Sequence, residues 1–181
     1  MNELKLIKTL GYFFDNPYEE IHLREIARKL KLSPFAAKKY LDLLQKKSLI
    51  LDERKANLRY FKANTINLIF KHLKITYSIS KIVECELLSY LIENTKSLIS
   101  ITLFGSVVKG EDDKNSDIDI VIIGNNKISN LSKFEEKLGK NVNIHFFNWT
   151  EWKKQHKVNK AFYYDVISYG VPLYGVLPIV A

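Results

Sequence analysis

The chain of 181 residues has one cysteine, Cys85, which excludes an intrachain disulfide and any cysteine-based zinc cluster. Its apolar runs are short, far below the roughly 20 residues that a membrane-spanning helix needs. Proline (4) and glycine (7) are scarce and gather into no flexible linker, and neither an internal repeat nor a low-complexity tract is visible. The stretch Met1-Asn2-Glu3-Leu4-Lys5 lacks the apolar core and cleavage site of a signal peptide, so the expectation is a cytoplasmic protein of one or two domains. What is present is a hydrophobic content of 46%, ordinary for a chain with a packed core. There is also an uneven charge of +8. Residues 1–64 hold 14 Lys+Arg against 8 Asp+Glu, a net of +6, while residues 65–181 hold 14 against 12, a net of +2. Such asymmetry points to a nucleic-acid-facing module joined to something else.

The most informative stretch is Leu103-Phe104-Gly105-Ser106, followed ten residues later by Asp117-Ile118-Asp119-Ile120. The apolar run 98–104 reads as a strand that delivers Gly105 and Ser106 at its end. The run 118–123 reads as a second strand, and alternation puts Asp117 and Asp119 on one face of it. Two carboxylates on one face suit a hard divalent cation such as Mg2+. A Gly-Ser turn that opens a short helix offers backbone N–H groups to phosphate. The pairing predicts a metal–triphosphate site and hence phosphoryl or nucleotidyl transfer.

These residues resemble the minimal nucleotidyltransferases of the DNA polymerase beta superfamily. Phe104, Gly105, Ser106, Ser116, Asp117 and Asp119 match the family pattern, and the resemblance spans roughly 98–175. It implies a small mixed sheet flanked by helices. Gly105 and Ser106 would hold the nucleotide phosphates, and Asp117 and Asp119 would hold Mg2+ and serve catalysis. The family usually adds a third carboxylate on a neighbouring strand. The matching strand here is Val142-Asn143-Ile144-His145-Phe146-Phe147, and the face that should carry the acid offers Asn143 and His145. Imidazole is a poor ligand for Mg2+, and an amide cannot act as a base. Metal and nucleotide binding are therefore expected more strongly than efficient turnover. Glu111, Asp112 and Asp113 lie in the intervening loop and could substitute for the missing acid, although a solvated loop is their commoner role.

In the first third, Leu4, Ile7, Leu10 and Phe14 recur at helical spacing up to Asp15-Asn16-Pro17. A short extended piece covers 20–23. A second helix over 23–30 faces Ile26, Ala27 and Leu30 inward. Ser33 then caps a third helix with Pro34 at its first position, burying Ala37, Tyr40, Leu41 and Leu44. Two β runs, 49–53 and 58–62, are joined by Arg54, Lys55, Ala56 and Asn57 as a hairpin tip. Three helices and a hairpin resemble a winged helix-turn-helix domain, whose third helix enters the major groove of duplex DNA. By that resemblance Ser33, Lys38 and Lys39 would face DNA, with Arg54, Lys55 and Arg59 on the wing; most of these contacts would be to phosphate. Winged helices also serve as plain protein-interaction modules.

Ile66, Ile69, Phe70 and Leu73, then Ile79, Ile82, Val83, Leu87, Leu88 and Leu91, predict two connecting helices separated by a polar break over 74–80. Their apolar positions would either pack domains together or form a homodimer interface. Cys85 is expected to be a buried thiol, and His72 and His156 surface residues. Trp149 and Trp152, with Phe146 and Phe147, fit either a core or a base-stacking surface, core being the commoner use. A helix over 159–169 should end at Gly170. The expected fold class is α+β: a winged helix-turn-helix (1–64), a helical connector (65–95) and a polymerase-beta-like nucleotidyltransferase domain (96–181). The expected activity moves a nucleoside monophosphate from a nucleoside triphosphate, ATP first among them, to a hydroxyl. Relatives of this kind often act as antitoxins that modify a partner toxin, so a protein acceptor is one candidate. The alternative is a DNA-binding regulator whose transferase domain only senses nucleotide.

Overall fold

Ser33 stands in extended backbone and its Oγ accepts the Ala36 N–H at 3.2 Å, with Pro34 at the first helical position. This cap fixes the start of the third helix of a computed structural model that describes residues 3–125 and 130–180. Met1 and Asn2, part of the N-terminal stretch read above, and Ala181, the end of the third expected segment, lie outside the described residues. The chain divides into two compact units, Met1–Lys74 and Ile75–Ala181.

The first unit runs α1 (Glu3–Asp15), β1 (Ile21–His22), α2 (Leu23–Lys29), α3 (Pro34–Lys46), β2 (Ile50–Lys55) and β3 (Leu58–Ala63). Its strands form an antiparallel sheet in the order β1-β3-β2. The core gathers Phe13, Phe14, Ile21, Ile26, Leu41, Leu44 and Phe61, with the α3 face buried as expected at Ala37, Tyr40, Leu41 and Leu44. On α1 the buried face is Thr9, Gly11, Phe13 and Phe14, so Leu4 and Ile7 stay exposed although they share helical spacing with Phe14. Leu30 is only half-buried. The hairpin tip is Ala56 and Asn57 alone, since Arg54 and Lys55 remain in β2, paired with Arg59 and Leu58.

α4 (Leu68–Glu84) then carries the chain into the second unit as one helix, with no break over 74–80. That segment contains neither proline nor glycine, and polar side chains alone do not stop a helix. The interruption comes at Glu86, whose φ of 69° lies in the left-handed region and turns the chain into α5 (Leu87–Asn94). Cys85 at this corner is buried, its thiol donating to the Ile82 carbonyl. β4 (Lys96–Phe104), α6 (Ser106–Lys109), β5 (Ile118–Asn125), α7 (Ser132–Leu138), β6 (Val142–Phe147), α8 (Trp149–Val158), α9 (Lys160–Tyr169) and β7 (Val171–Tyr174) follow. The sheet order is β6-β5-β4-β7, with β5 and β6 parallel and the other pairs antiparallel.

Both faces of this mixed sheet are covered. Ile101, Leu103, Ile118, Ile120 and Ile122 pack with α5, α6 and α7 residues on one side. Phe104, Val121 and Ile123 pack with Trp152, Tyr163 and Val166 of α8 and α9 on the other. Strands sandwiched in this way read as near-continuous apolar runs, which is what 98–104 and 118–123 show. Trp152 is fully buried, its indole N–H donating to the Pro178 carbonyl at 2.6 Å, which settles its role as core. Gly170 closes α9 with its N–H on the Val166 carbonyl. A Cβ there would stand 2.2 Å from that same oxygen, so close approach makes glycine necessary. Among the described residues no helix is long and apolar enough to cross a membrane.

Candidate functional site

Strand register brings the motif residues together. Phe104 pairs with Asp119 across β4 and β5, and Asp119 pairs with Asn143 across β5 and β6. Gly105, directly after β4, has φ +78° and ψ −149°, a conformation that is essentially glycine's own. A Cβ on Gly105 would lie 2.5 Å from Asp119 Oδ2. The Asp119 carboxylate therefore rests directly against the Gly105 backbone, at the entrance to α6. Gly105 caps α6 without a side-chain hydrogen bond.

Asp117 stands one residue before β5. The amide Nδ2 of Asn143 donates to Asp117 Oδ2 at 3.1 Å and to Asp119 Oδ1 at 3.3 Å. Two carboxylates thus converge on a single amide. Asn141, at the entry to β6, donates a second amide hydrogen bond to Asp117 Oδ1 at 3.0 Å. Alternation alone makes Asn143 and His145 equal occupants of the expected acid position; the structure puts Asn143 there and His145 one step farther along the same face. Sequence reasoning missed Asn141, although a parallel register of Ile118 with Val142 places it opposite Asp117.

The loop between α6 and β5 is more ordered than expected. Asp113 accepts the Asn115 N–H at 2.8 Å and the Ser116 hydroxyl at 3.1 Å. The Asn115 N–H, ahead of Ser116, holds the Asp113 carboxyl below its usual range. Asp113 thereby braces Ser116, the residue that precedes Asp117. Asp112 is not solvated: it is 2% exposed and accepts from Lys140 Nζ at 2.5 Å. The loop turns inward there because Lys140, after α7, supplies the opposite charge. Glu111 remains exposed. A groove of about 480 Å³ beside Asp117 is lined by Lys114, Asn115, Glu135, Gly139, Lys140 and Asn141. On the other flank, Lys109 of α6 donates to Asp165 of α9 at 2.6 Å, a pair that no local sequence signal announces. That hydrogen bond raises the ammonium's affinity for its proton.

The donor set is the kind that Mg2+ prefers: two carboxylates drawn to one point, with an amide carbonyl on the same side chain that bridges them. Among the described residues no group of three or more His, Cys, Asp or Glu side chains assembles as a metal site.

Residues 84–167 match the family model of the nucleotidyltransferase domain. The match supports a nucleotidyltransferase domain in the second unit, and it contains Gly105, Ser106, Asp117, Asp119 and Asn143. Among solved structures, one described as a toxin–antitoxin with AMP-PNP is 23% identical and covers 54% of this chain and 73% of its own, with a TM-score of 0.37. A mutant of the toxin–antitoxin MntA-HpeT is 23% identical, covering 51% and 72%, with a TM-score of 0.36. No curated protein matches.

In the first unit, three of the six residues expected to face DNA are engaged with carboxylates. Ser33 is occupied as the α3 cap. Lys38 lies 3.2 Å from Asp42; Arg59 binds Asp42 and, through Nε at 2.7 Å, Asp52. Lys55 pairs with Glu20 and lies 3.9 Å from Glu53. Lys39 and Arg54 are exposed. His72 and His156 are also on the surface, each with Nδ1 against a backbone carbonyl of its own helix.

Proposed function

We propose that the nucleotidyltransferase domain binds a nucleoside triphosphate with Mg2+, ATP first among them, and transfers the nucleoside monophosphate to a hydroxyl acceptor. The observation that carries this reading is the convergence of Asp117 and Asp119 on one point against the Gly105 turn. Asp117 and Asp119 would hold Mg2+, and the backbone of Gly105 and Ser106 would orient the phosphates for in-line attack. Bound Mg2+ supplies neutralisation of charge on the phosphates. In the transfer the acceptor oxygen bonds to the α-phosphorus, the bond to the β-phosphate bridging oxygen breaks, and pyrophosphate leaves. Asn143 cannot take the acceptor's proton, which must leave to water or to a group on the acceptor. A hydroxyl on a protein partner is the acceptor class that the resemblance to antitoxin-type transferases suggests.

The reading includes residues 1–64 as a winged helix joined through the connector 65–95 to the transferase domain 96–181. The element order α1-β1-α2-α3-β2-β3 and the net charge of +6 support it, and duplex DNA is the partner proposed for it. Exposed Leu68 and Ile69 on α4 suit a homodimer contact.

Asn143 favours a second reading, a DNA-binding regulator whose transferase domain binds nucleotide without turnover. One experiment separates the two. Wild type, Asn143→Asp and the double variant Asp117→Asn with Asp119→Asn are titrated with ATP and Mg2+, then incubated with ATP labelled at the α-phosphate and a cell extract. The double variant should lose metal-dependent binding; if it binds as the wild type does, the site is misassigned. Asn143→Asp should raise label transfer above a weak wild-type rate. No transfer by either protein, with DNA affinity altered by ATP, favours the sensor.

A further inference from the structure

Three aromatic rings meet on the sheet face that carries Asp119 and Asn143. Phe104 is Asp119's partner in β4, and His145 follows Asn143 by two residues in β6, so their side chains emerge on this same face. Phe162 of α9 completes the group. Ring centroids lie 5.5 Å apart for Phe104 and His145, 5.4 Å for Phe104 and Phe162, and 5.3 Å for His145 and Phe162. Phe104 is buried and Phe162 half-buried, but His145 is exposed. The group is anchored from behind: Phe162 also contacts Phe147 at 6.0 Å and the fully buried Trp152 at 6.1 Å.

An open ring held by two others beside a pair of carboxylates has the properties of a stacking platform. It is rigid because its supports belong to the core, so its orientation is set by packing before any ligand arrives. Trp152, a stacking candidate by sequence, is sealed in that core and cannot serve.

We propose that His145, backed by Phe104 and Phe162, stacks against the base of the nucleoside triphosphate whose phosphates lie at Gly105 and Ser106. The inference rests on the nucleotide reading above and extends it to the base. Stacking is sequence-tolerant and grows with ring area, so the platform favours purine over pyrimidine nucleotides without separating ATP from GTP.

The test is calorimetry on the full chain with Mg2+ and two probes, ATP and inorganic tripolyphosphate, which has no base. His145→Ala and His145→Gln should each raise the Kd for ATP roughly tenfold, the order of one base–aromatic stack. Both should leave tripolyphosphate binding unchanged, and His145→Phe should keep ATP binding near that of the wild type. Equal ATP affinity in His145→Ala and wild type overturns the proposal. So does a parallel loss of tripolyphosphate binding, which would make His145 a contact of phosphate or metal. A wild type that binds neither probe removes the nucleotide reading itself, an outcome distinct from both.

Discussion

Gly105 has no functional group, yet its replacement by alanine should cost the site its function. Two terms are separable. The first is backbone strain: at φ +78° and ψ −149° a non-glycine residue costs about 1–3 kcal/mol. The second is steric: the new Cβ would stand 2.5 Å from Asp119 Oδ2 and 3.3 Å from Asp119 Cγ. The carboxylate is the free end of a side chain, so it relieves the clash by swinging away. That costs little stability, but it withdraws Asp119 from Asn143 and from the point shared with Asp117. Gly105→Ala should therefore lower the melting temperature of the second unit by several degrees, at about 4–8 °C per kcal/mol for a domain near 100 residues. It should also weaken Mg2+-dependent ATP binding as much as Asp119→Asn does.

The two terms part in a double-mutant cycle. In an Asp119→Ala background the steric conflict with the carboxylate is gone and only the strain remains. Gly105→Ala should then still reduce stability, measured by denaturant titration, but should take nothing further from nucleotide binding. Wild-type binding in Gly105→Ala alone would refute the claim that the turn positions Asp119. An undiminished binding effect of Gly105→Ala in the Asp119→Ala background would show that the alanine acts on the phosphates instead.

Three other outcomes are expected. Replacing Lys38 and Lys39 by alanine should reduce the salt slope of log DNA affinity by up to about 0.9 for each phosphate no longer neutralised, while Asp42→Asn, which frees Lys38 and Arg59 from a shared carboxylate, should steepen it; slopes unchanged in both would point to an interaction module rather than a DNA reader. Lys140→Met should destabilise the second unit by about 3–5 kcal/mol, because it takes the ammonium away from the buried Asp112 carboxylate, and adding Asp112→Leu should recover much of that stability in denaturant titrations. Asp113 binds its proton more weakly in the folded chain than in the unfolded one, so its contribution to stability is present above the ordinary carboxylate range near pH 4 and is lost as pH falls below it; Asp113→Asn should flatten that part of the acid unfolding profile, and an unchanged profile would remove the loop bond from the account.

Periodicity carried much of this fold into the sequence, and register carried little. The bounds of β6 are readable to the residue because Val142, Ile144 and Phe146 alternate with Asn143, His145 and Phe147. The start of α3 is readable because Ser33 and Pro34 act together at its first turn. Where an outcome hangs on a distant partner, alternation is silent. It puts Asn143 and His145 on one face but does not say which stands against Asp119; the parallel pairing of β5 with β6 decides that. Asp112 looks like any loop acid until Lys140, 28 residues on, is brought to it. Glu86 has no feature that marks a left-handed corner, whereas the polar residues of 74–80 resemble a break without being one. The same register has a chemical consequence. It places an amide, not an acid, opposite Asp119, so the pair of carboxylates is held together by neutral donors. On the function proposed above, a site built in this way would retain what binding requires and lack the group that takes a proton. This is why binding and turnover must be measured separately in this protein, with Asn143→Asp as the variant that should bring them back together.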